Sequence, residues 1–201
     1  RLSVYDLSGA TLITPGEGGA VPFESRIDVG HAPQGIAISQ DGSKAYVANY
    51  LSRNVSCLDL SDPTTPMVQG TLTMTSESLP PNILSGKQLF YRSREPQHSI
   101  GNYIACASCH ADGSMGDGRT WDFTDRGEGL RNTIDLRARA GMGHGPVHWS
   151  ANIYEIQDFE NDIVNVFGGT GLAQDGQPPN PPLDVNAPND GRSPDLDNLA
   201  A

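Results

Sequence analysis

The sequence predicts an α+β chain with more than one domain, in which a strand-rich part over residues 1–75 is followed by a mainly α part with long loops over residues 76–201. Three observations predict this class. Apolar and polar residues alternate up to about residue 60. Apolar residues recur at helical spacing in several later stretches. Glycine and proline, 23 and 15 of the 201 residues, separate these runs and predict many turns.

The composition excludes some classes of function. A chain of 201 residues with 36% apolar and 18% charged residues can form one large or two small globular domains. No apolar run approaches the ~20 residues that a membrane-spanning helix needs, so we expect no transmembrane segment. The net charge of −11 argues against a nucleic-acid partner, because phosphates would be repelled.

Turn residues bound the predicted strands of the first part. The dipeptide Asp41-Gly42, between two alternating runs, is a strong hairpin signal. Asp62-Pro63 ends the last run, and residues 61–82, with prolines among serines and threonines, are predicted to be a linker. The five alternating runs begin at Leu2, Arg26, Gly35, Lys44 and Arg53.

Residues 26–60 resemble one blade of a YVTN-type β-propeller. The runs at 33–39, 41–42, 46–49 and 55–60 carry the resemblance. A propeller closes with about four to eight blades, whereas this chain holds about one, and a lone blade leaves its edge strands unprotected. The resemblance therefore implies a partial β-propeller whose remaining blades come from the same chain or from a partner chain.

The five residues Cys106-Ala107-Ser108-Cys109-His110 form the attachment pattern of a c-type haem. Each thiol adds across one haem vinyl group, and the histidine follows directly as the proximal iron ligand. A redox dithiol or half of a zinc site are the alternatives for Cys-x-x-Cys alone. A zinc site needs two more ligands, and the only other cysteine, Cys57, lies among the predicted strands. We expect one covalent haem c, and hence a periplasmic or extracellular protein.

The second part is predicted to begin with a helix. Asn82 can cap a helix that starts at Ile83 and runs to Tyr91. Gly86, four residues before Phe90, suits close contact with another helix because it has no side chain.

Two more helices are predicted after the haem motif. Ser150 is a candidate N-cap for an amphipathic helix that reaches Phe167 and ends at Gly168-Gly169. The tail over residues 174–192 has loop composition. Ser193-Pro194 begins a C-terminal helix that looks truncated.

The order of these elements resembles the dihaem cytochrome c peroxidase and MauG superfamily over residues 78–201. The resemblance is carried by 86–90, the haem motif, 130–133 and the 149–167 stretch. It implies that Arg131 and Asn132 lie close to the haem and that Trp149 packs at its edge. Family members carry two haems, whereas this sequence holds one motif. The family's methionine ligand would fall near Phe167, where this sequence has no methionine.

The ligand on the sixth iron position separates the functions that this chain could have. Two strong protein ligands suit electron transfer, whereas an open position can bind peroxide. The glycine-rich stretch 141–148 offers three donors, which we rank His144, His148 and Met142. His98 and Met115 are weaker candidates, the latter because it follows His110 by only five residues.

The leading hypothesis is electron transfer by a monohaem domain, joined to a propeller that docks a redox partner protein. The alternative is a haem enzyme of the peroxidase/MauG type with a second haem outside this stretch, and the sequence assigns no catalytic residue. A third hypothesis is a structural or sensory propeller in which haem only stabilises a small domain. A calcium ion is a weaker alternative to solvated turns for four aspartates, Asp112, Asp117, Asp122 and Asp125.

Overall fold

The computed structural model describes residues 2–5, 23–62, 65–93, 95–102, 104–137, 145–173, 184 and 186–201. Contacts divide the chain into two compact units, Arg1–Ser78 and Leu79–Ala201. Each unit has its own buried apolar cluster. None of the described helices is both long enough and apolar enough to cross a membrane.

The first unit contains a four-stranded antiparallel sheet in which each strand pairs with the next along the chain. A separate antiparallel pair precedes it. That pair consists of β1 (Leu2–Tyr5) and β2 (Phe23–Ile27). The strands of the sheet are β3 (Pro33–Ile38), β4 (Lys44–Asn49), β5 (Asn54–Asp59) and β6 (Met67–Thr73).

Strand β6 shows that the prediction of a linker over residues 61–82 is wrong. Its backbone pairs with β5, so that Thr71 faces Ser56 and Val68 faces Leu58. The prolines of the segment lie outside β6 and do not interrupt its hydrogen bonds. Every residue of β6 is exposed, so no pattern of burial marked this strand.

The predicted hairpin turn between β3 and β4 is confirmed. Gly42 has a φ of +73°, which glycine adopts without strain. The carboxylate of Asp41 accepts hydrogen bonds from the hydroxyl of Ser39 and from the amide and hydroxyl of Ser43. These bonds lower the pKa of Asp41 to about 2, and the bond from the Ser39 hydroxyl has the largest effect.

Only one face of the central strands is buried. In β4, Ala45, Val47 and Asn49 are buried and the alternate residues are exposed. The apolar ones pack with Leu58 and Ile27. The outer strands β3 and β6 are exposed at every position, and their exposed apolar side chains are Ile36, Ile38, Met67, Val68 and Leu72.

Short helices and two small hairpins form the second unit. The hairpins pair β7 with β8 and β9 with β10. The helices are α1 (Pro81–Tyr91), α2 (Cys106–Cys109), α3 (Glu160–Asn165) and α4 (Pro194–Ala200). The strands are β7 (His110–Ala111), β8 (Met115–Gly116), β9 (Thr120–Phe123) and β10 (Gly129–Asn132). These four short strands were not predicted from the sequence.

Helices α1 and α4 cross at a glycine. A Cβ atom at Gly86 would lie 1.8 Å from the backbone oxygen of Asn198, so only glycine fits there. This confirms the predicted close contact between helices. The apolar cluster beside the crossing consists of Leu89, Ile163, Leu172, Ala173 and Leu196.

The predicted cap of the first helix of this unit is wrong. Helix α1 begins at Pro81, with Pro80 at the N-cap, and not at Ile83 after a capping Asn82. Proline suits the first helical position because its φ is already helical. The predicted C-terminal helix is present as α4, where the Ser193 hydroxyl accepts a bond from the backbone N–H of Asp195.

The predicted helix from Ser150 to Phe167 is wrong in its first half. Helix α3 begins only at Glu160, after a short 3₁₀ helix over Ile156–Phe159. The Asp158 carboxylate accepts the backbone N–H groups of Tyr154 and Glu155, at 2.9 and 3.3 Å, and so caps the chain there.

Candidate functional site

Helix α2 presents the two thiols of the motif. It is a single turn, closed by a hydrogen bond from the backbone N–H of His110 to the carbonyl of Cys106. The hydroxyl of Ser108 accepts the backbone N–H of Ala105 at 3.0 Å. Residues three apart on a helix share a face, so Cys106 and Cys109 point to the same side.

Burial keeps both thiols protonated. It raises the pKa of Cys106 to about 11 and is also the first cause of the raised pKa of Cys109. A nucleophilic dithiol needs a lowered thiol pKa. The environment of these cysteines therefore disfavours the redox-dithiol alternative.

The ring of His110 is oriented by a backbone carbonyl. Its Nδ1 lies 3.0 Å from the oxygen of Ile134. A carbonyl only accepts, so Nδ1 carries the hydrogen and Nε2 keeps its lone pair. Burial lowers the pKa of His110, which favours the neutral ring. A neutral histidine whose other nitrogen donates to a carbonyl is the arrangement that metal-binding histidines use.

The end of α1 packs against this histidine. The rings of Phe90 and His110 have centroids 6.5 Å apart, and Tyr91 meets Phe90 edge-on at 5.6 Å. Phe90 therefore covers one side of the imidazole with apolar surface. Phe90 was not among the site residues predicted from the sequence.

Three further predicted residues line one open surface depression, which is called the cavity below. A space of about 390 Å³ is lined by Leu130, Arg131, Asn132 and Trp149. The indole N–H of Trp149 donates to the backbone oxygen of Asn132 at 2.6 Å. Leu130 and Trp149 are 65% and 60% exposed, so the cavity has large uncovered apolar walls.

Arg131 has a buried donor without a partner beside this cavity. Its Nη1 donates to the carbonyl of Leu130, but its Nε has no partner among the described residues. An unsatisfied buried donor on a cation is unfavourable unless an anion completes it. A carboxylate-bearing ligand would supply that anion.

One stretch of chain joins the cavity to His110. The carbonyl of Asn132 receives the indole of Trp149, and the carbonyl of Ile134, two residues later, receives His110. The haem motif and the segment around Trp149 therefore meet along the same backbone. Neither carbonyl could be found from the sequence, because backbone acceptors leave no residue-type signal.

Of the three donors proposed for the sixth position, only His148 lies among the described residues. Met142 and His144 fall in 138–144, outside them. The Nδ1 of His148 lies 3.1 Å from the side-chain oxygen of Asn152. Its ring meets Phe159 edge-on at 5.6 Å.

Two of the four aspartates considered for calcium, Asp117 and Asp122, accept hydrogen bonds from protein groups. Asp117 accepts the backbone N–H of Arg119 and the hydroxyl of Thr133, and Asp122 accepts both donors of Thr124. Within the part of the chain that the structure describes, no group of three or more His, Cys, Asp or Glu side chains is arranged to hold a metal ion.

The burial of His98 predicts that the stability of the second unit depends on pH. It is 3% exposed, and neither ring nitrogen has a hydrogen-bond partner among the described residues. Burial first, and then the charge of Arg92, lower its pKa, while Glu95 and Asp195 oppose this more weakly. A folded-state pKa below the unfolded value gives stability that is complete above about pH 6.5 and is lost as pH falls through the folded value.

Urea unfolding of the second unit between about pH 7.5 and pH 5 measures this loss. We expect His98→Leu to reduce the difference between the two pH values. An equal loss in the variant would show that other groups cause it.

Comparisons with known proteins were made at three levels. Models of protein families, curated proteins and solved structures gave no match to this chain.

Proposed function

We propose that this chain binds one haem c covalently and transfers single electrons outside the cytoplasm, in the periplasm or outside the cell. Cys106 and Cys109 form the two thioether bonds, and His110 is the proximal ligand through Nε2. The observation that carries the proposal is the hydrogen bond from His110 Nδ1 to the Ile134 carbonyl. His110 directly follows α2, the single turn that presents both thiols.

The residues present fit a haem. The uncovered walls around Leu130 and Trp149 suit a flat apolar ligand, and the free Nε of Arg131 suits one of its propionates. Phe90 adds apolar surface beside the His110 ring. The haem, when bound, supplies a one-electron iron couple, and the protein sets its potential through ligands, hydrogen bonds and burial.

The first unit is proposed to be one blade of a β-propeller. Four antiparallel strands paired in chain order form a blade, and β6 supplies the fourth. The exposed apolar residues of β3 and β6 would be covered by further blades, which come from the same chain or from a partner chain. A redox partner protein then docks on the assembled protein.

A potentiometric titration tests electron transfer. The chain is exported in a host that carries a c-type cytochrome maturation system. We expect a reversible one-electron titration and no rapid turnover of hydrogen peroxide. Fast peroxide consumption would contradict the electron-carrier proposal and favour the peroxidase/MauG-type enzyme. The double variant Cys106→Ala/Cys109→Ala, exported in the same way, is the control without attached haem.

A further inference from the structure

We propose that His148 is the second axial ligand of the iron, and that Asn152 and Glu128 position its ring. The proposal rests on the proposed function, because it requires haem attached at Cys106 and Cys109. It makes the iron six-coordinate with two imidazoles, which suits electron transfer more than peroxide binding.

The hydrogen bonds around His148 determine which of its ring nitrogens carries the hydrogen. Its Nδ1 is 3.1 Å from Oδ1 of Asn152. The amide nitrogen of Asn152 donates to the carboxylate of Glu128 at 3.2 Å. A carboxylate accepts only, so the amide is oriented with its oxygen toward His148. Nδ1 of His148 therefore carries the hydrogen, and Nε2 is free to bind a metal.

Hydrogen bonds to the backbone at 132–134 connect the segment of His148 with His110. Trp149, the next residue, is bonded to the carbonyl of Asn132, two residues before the carbonyl that holds His110. His110 and Trp149, the neighbour of His148, are thus both hydrogen-bonded to one short stretch of backbone, although 38 positions separate the two histidines in the sequence.

The backbone of His148 has an unfavourable conformation. Its φ is +76°, in the left-handed region that is unfavourable for a residue with a side chain. The antiparallel bridge between Val147 and Ile153 and the bond from the N–H of Ala151 to the carbonyl of His148 hold it there. Backbone strain that is maintained by its surroundings is concentrated at functional sites.

His110 and His148 have the same tautomer and similar surroundings. Each has Nδ1 engaged by an oxygen acceptor and Nε2 available, and each is packed against a phenylalanine, Phe90 for His110 and Phe159 for His148. Each ring would thus offer its Nε2 to an iron ion. Donation from Nδ1 also strengthens the iron bond made by Nε2.

The spin state of the ferric, haem-loaded chain tests the ligand. We expect a low-spin spectrum without the charge-transfer band of methionine-ligated iron. His148→Ala should become high-spin and return to low-spin on addition of imidazole. The matched variants His144→Ala and Met142→Ala should remain low-spin, which separates the three donors of the 141–148 stretch.

Three results would overturn the ligand assignment. They are a high-spin native protein, a His148→Ala variant that stays low-spin, and conversion to high-spin by His144→Ala or Met142→Ala instead. If His148→Ala does not mature, His148→Met should mature and show the methionine charge-transfer band. Absence of that band in the matured variant also overturns it. All these outcomes require attached haem, so they are distinct from a failure of haem attachment.

Displacement of the sixth ligand by carbon monoxide in the ferrous protein tests the positioning role. Asn152→Ala should accelerate displacement by about 10- to 100-fold, the usual effect of losing a residue that orients a metal ligand. Ser150→Ala is the control, because Ser150 also donates to Glu128 and, among the described residues, makes no hydrogen bond with the His148 ring. Equal effects of the two variants would exclude a role for Asn152 in orienting the ring.

Discussion

Replacing Gly86 by alanine is expected to destabilise the second unit by about 3 kcal/mol, the upper part of the usual range for overpacking. The new Cβ would lie 1.8 Å from the backbone oxygen of Asn198. A backbone atom cannot rotate away as a side chain can, so α4 must move off α1. The apolar cluster around Leu89 and Leu196 would open with it.

The sign of this effect is diagnostic. Alanine stabilises an ordinary helix interior by about 1 kcal/mol relative to glycine, so a loss can come only from the contact between helices. Ser85→Ala, one position earlier in α1, is the matched control and should change stability little. Urea unfolding monitored by circular dichroism measures both variants. A Gly86→Ala protein as stable as the native one would contradict the described crossing of α1 and α4.

Replacing Glu160 by alanine should cost about 4 kcal/mol of unfolding free energy, since two buried donors each lose an acceptor. The side chain is 1% exposed, and its carboxylate accepts the backbone N–H groups of Leu172 and Ala173 at 2.8–3.0 Å. These bonds hold the 172–173 turn against the apolar cluster. Without them the two N–H groups remain buried and unsatisfied.

Glu160→Gln provides a graded comparison. The amide keeps one acceptor oxygen, so we expect a loss between those of the native and alanine proteins. The same urea unfolding measurement applies. Equal stability of all three proteins would mean that water replaces the carboxylate, and that the 172–173 turn does not depend on it.

Local signals in the sequence predicted the elements that local chemistry determines. The Asp41-Gly42 turn depends on residue types within one turn of the chain, and it appears in the structure. The close helix contact expected at Gly86 also appears, although its partner Asn198 is distant in the sequence. The haem motif is equally local, which is why five residues suffice to propose a cofactor.

The elements that were missed depend on contacts between distant residues. Strand β6 is stabilised by pairing with β5, not by an apolar face. The stretch after Ser150 has helical spacing, but its backbone is held by a bridge and by the Asp158 carboxylate. The carbonyl of Ile134 and the amide of Asn152 complete the site through bonds that only the folded chain shows.

The intact mass of the exported chain tests the central claim most directly. When the chain matures beside a c-type cytochrome assembly system, we expect its mass under denaturing conditions to increase by that of one haem. The absorption of the alkaline pyridine complex should be that of a haem with both vinyl groups saturated. Cys106→Ala should retain at most one thioether bond, and the double variant with Cys109→Ala none. An unmodified mass with Cys106 and Cys109 both free to alkylation would contradict the claim.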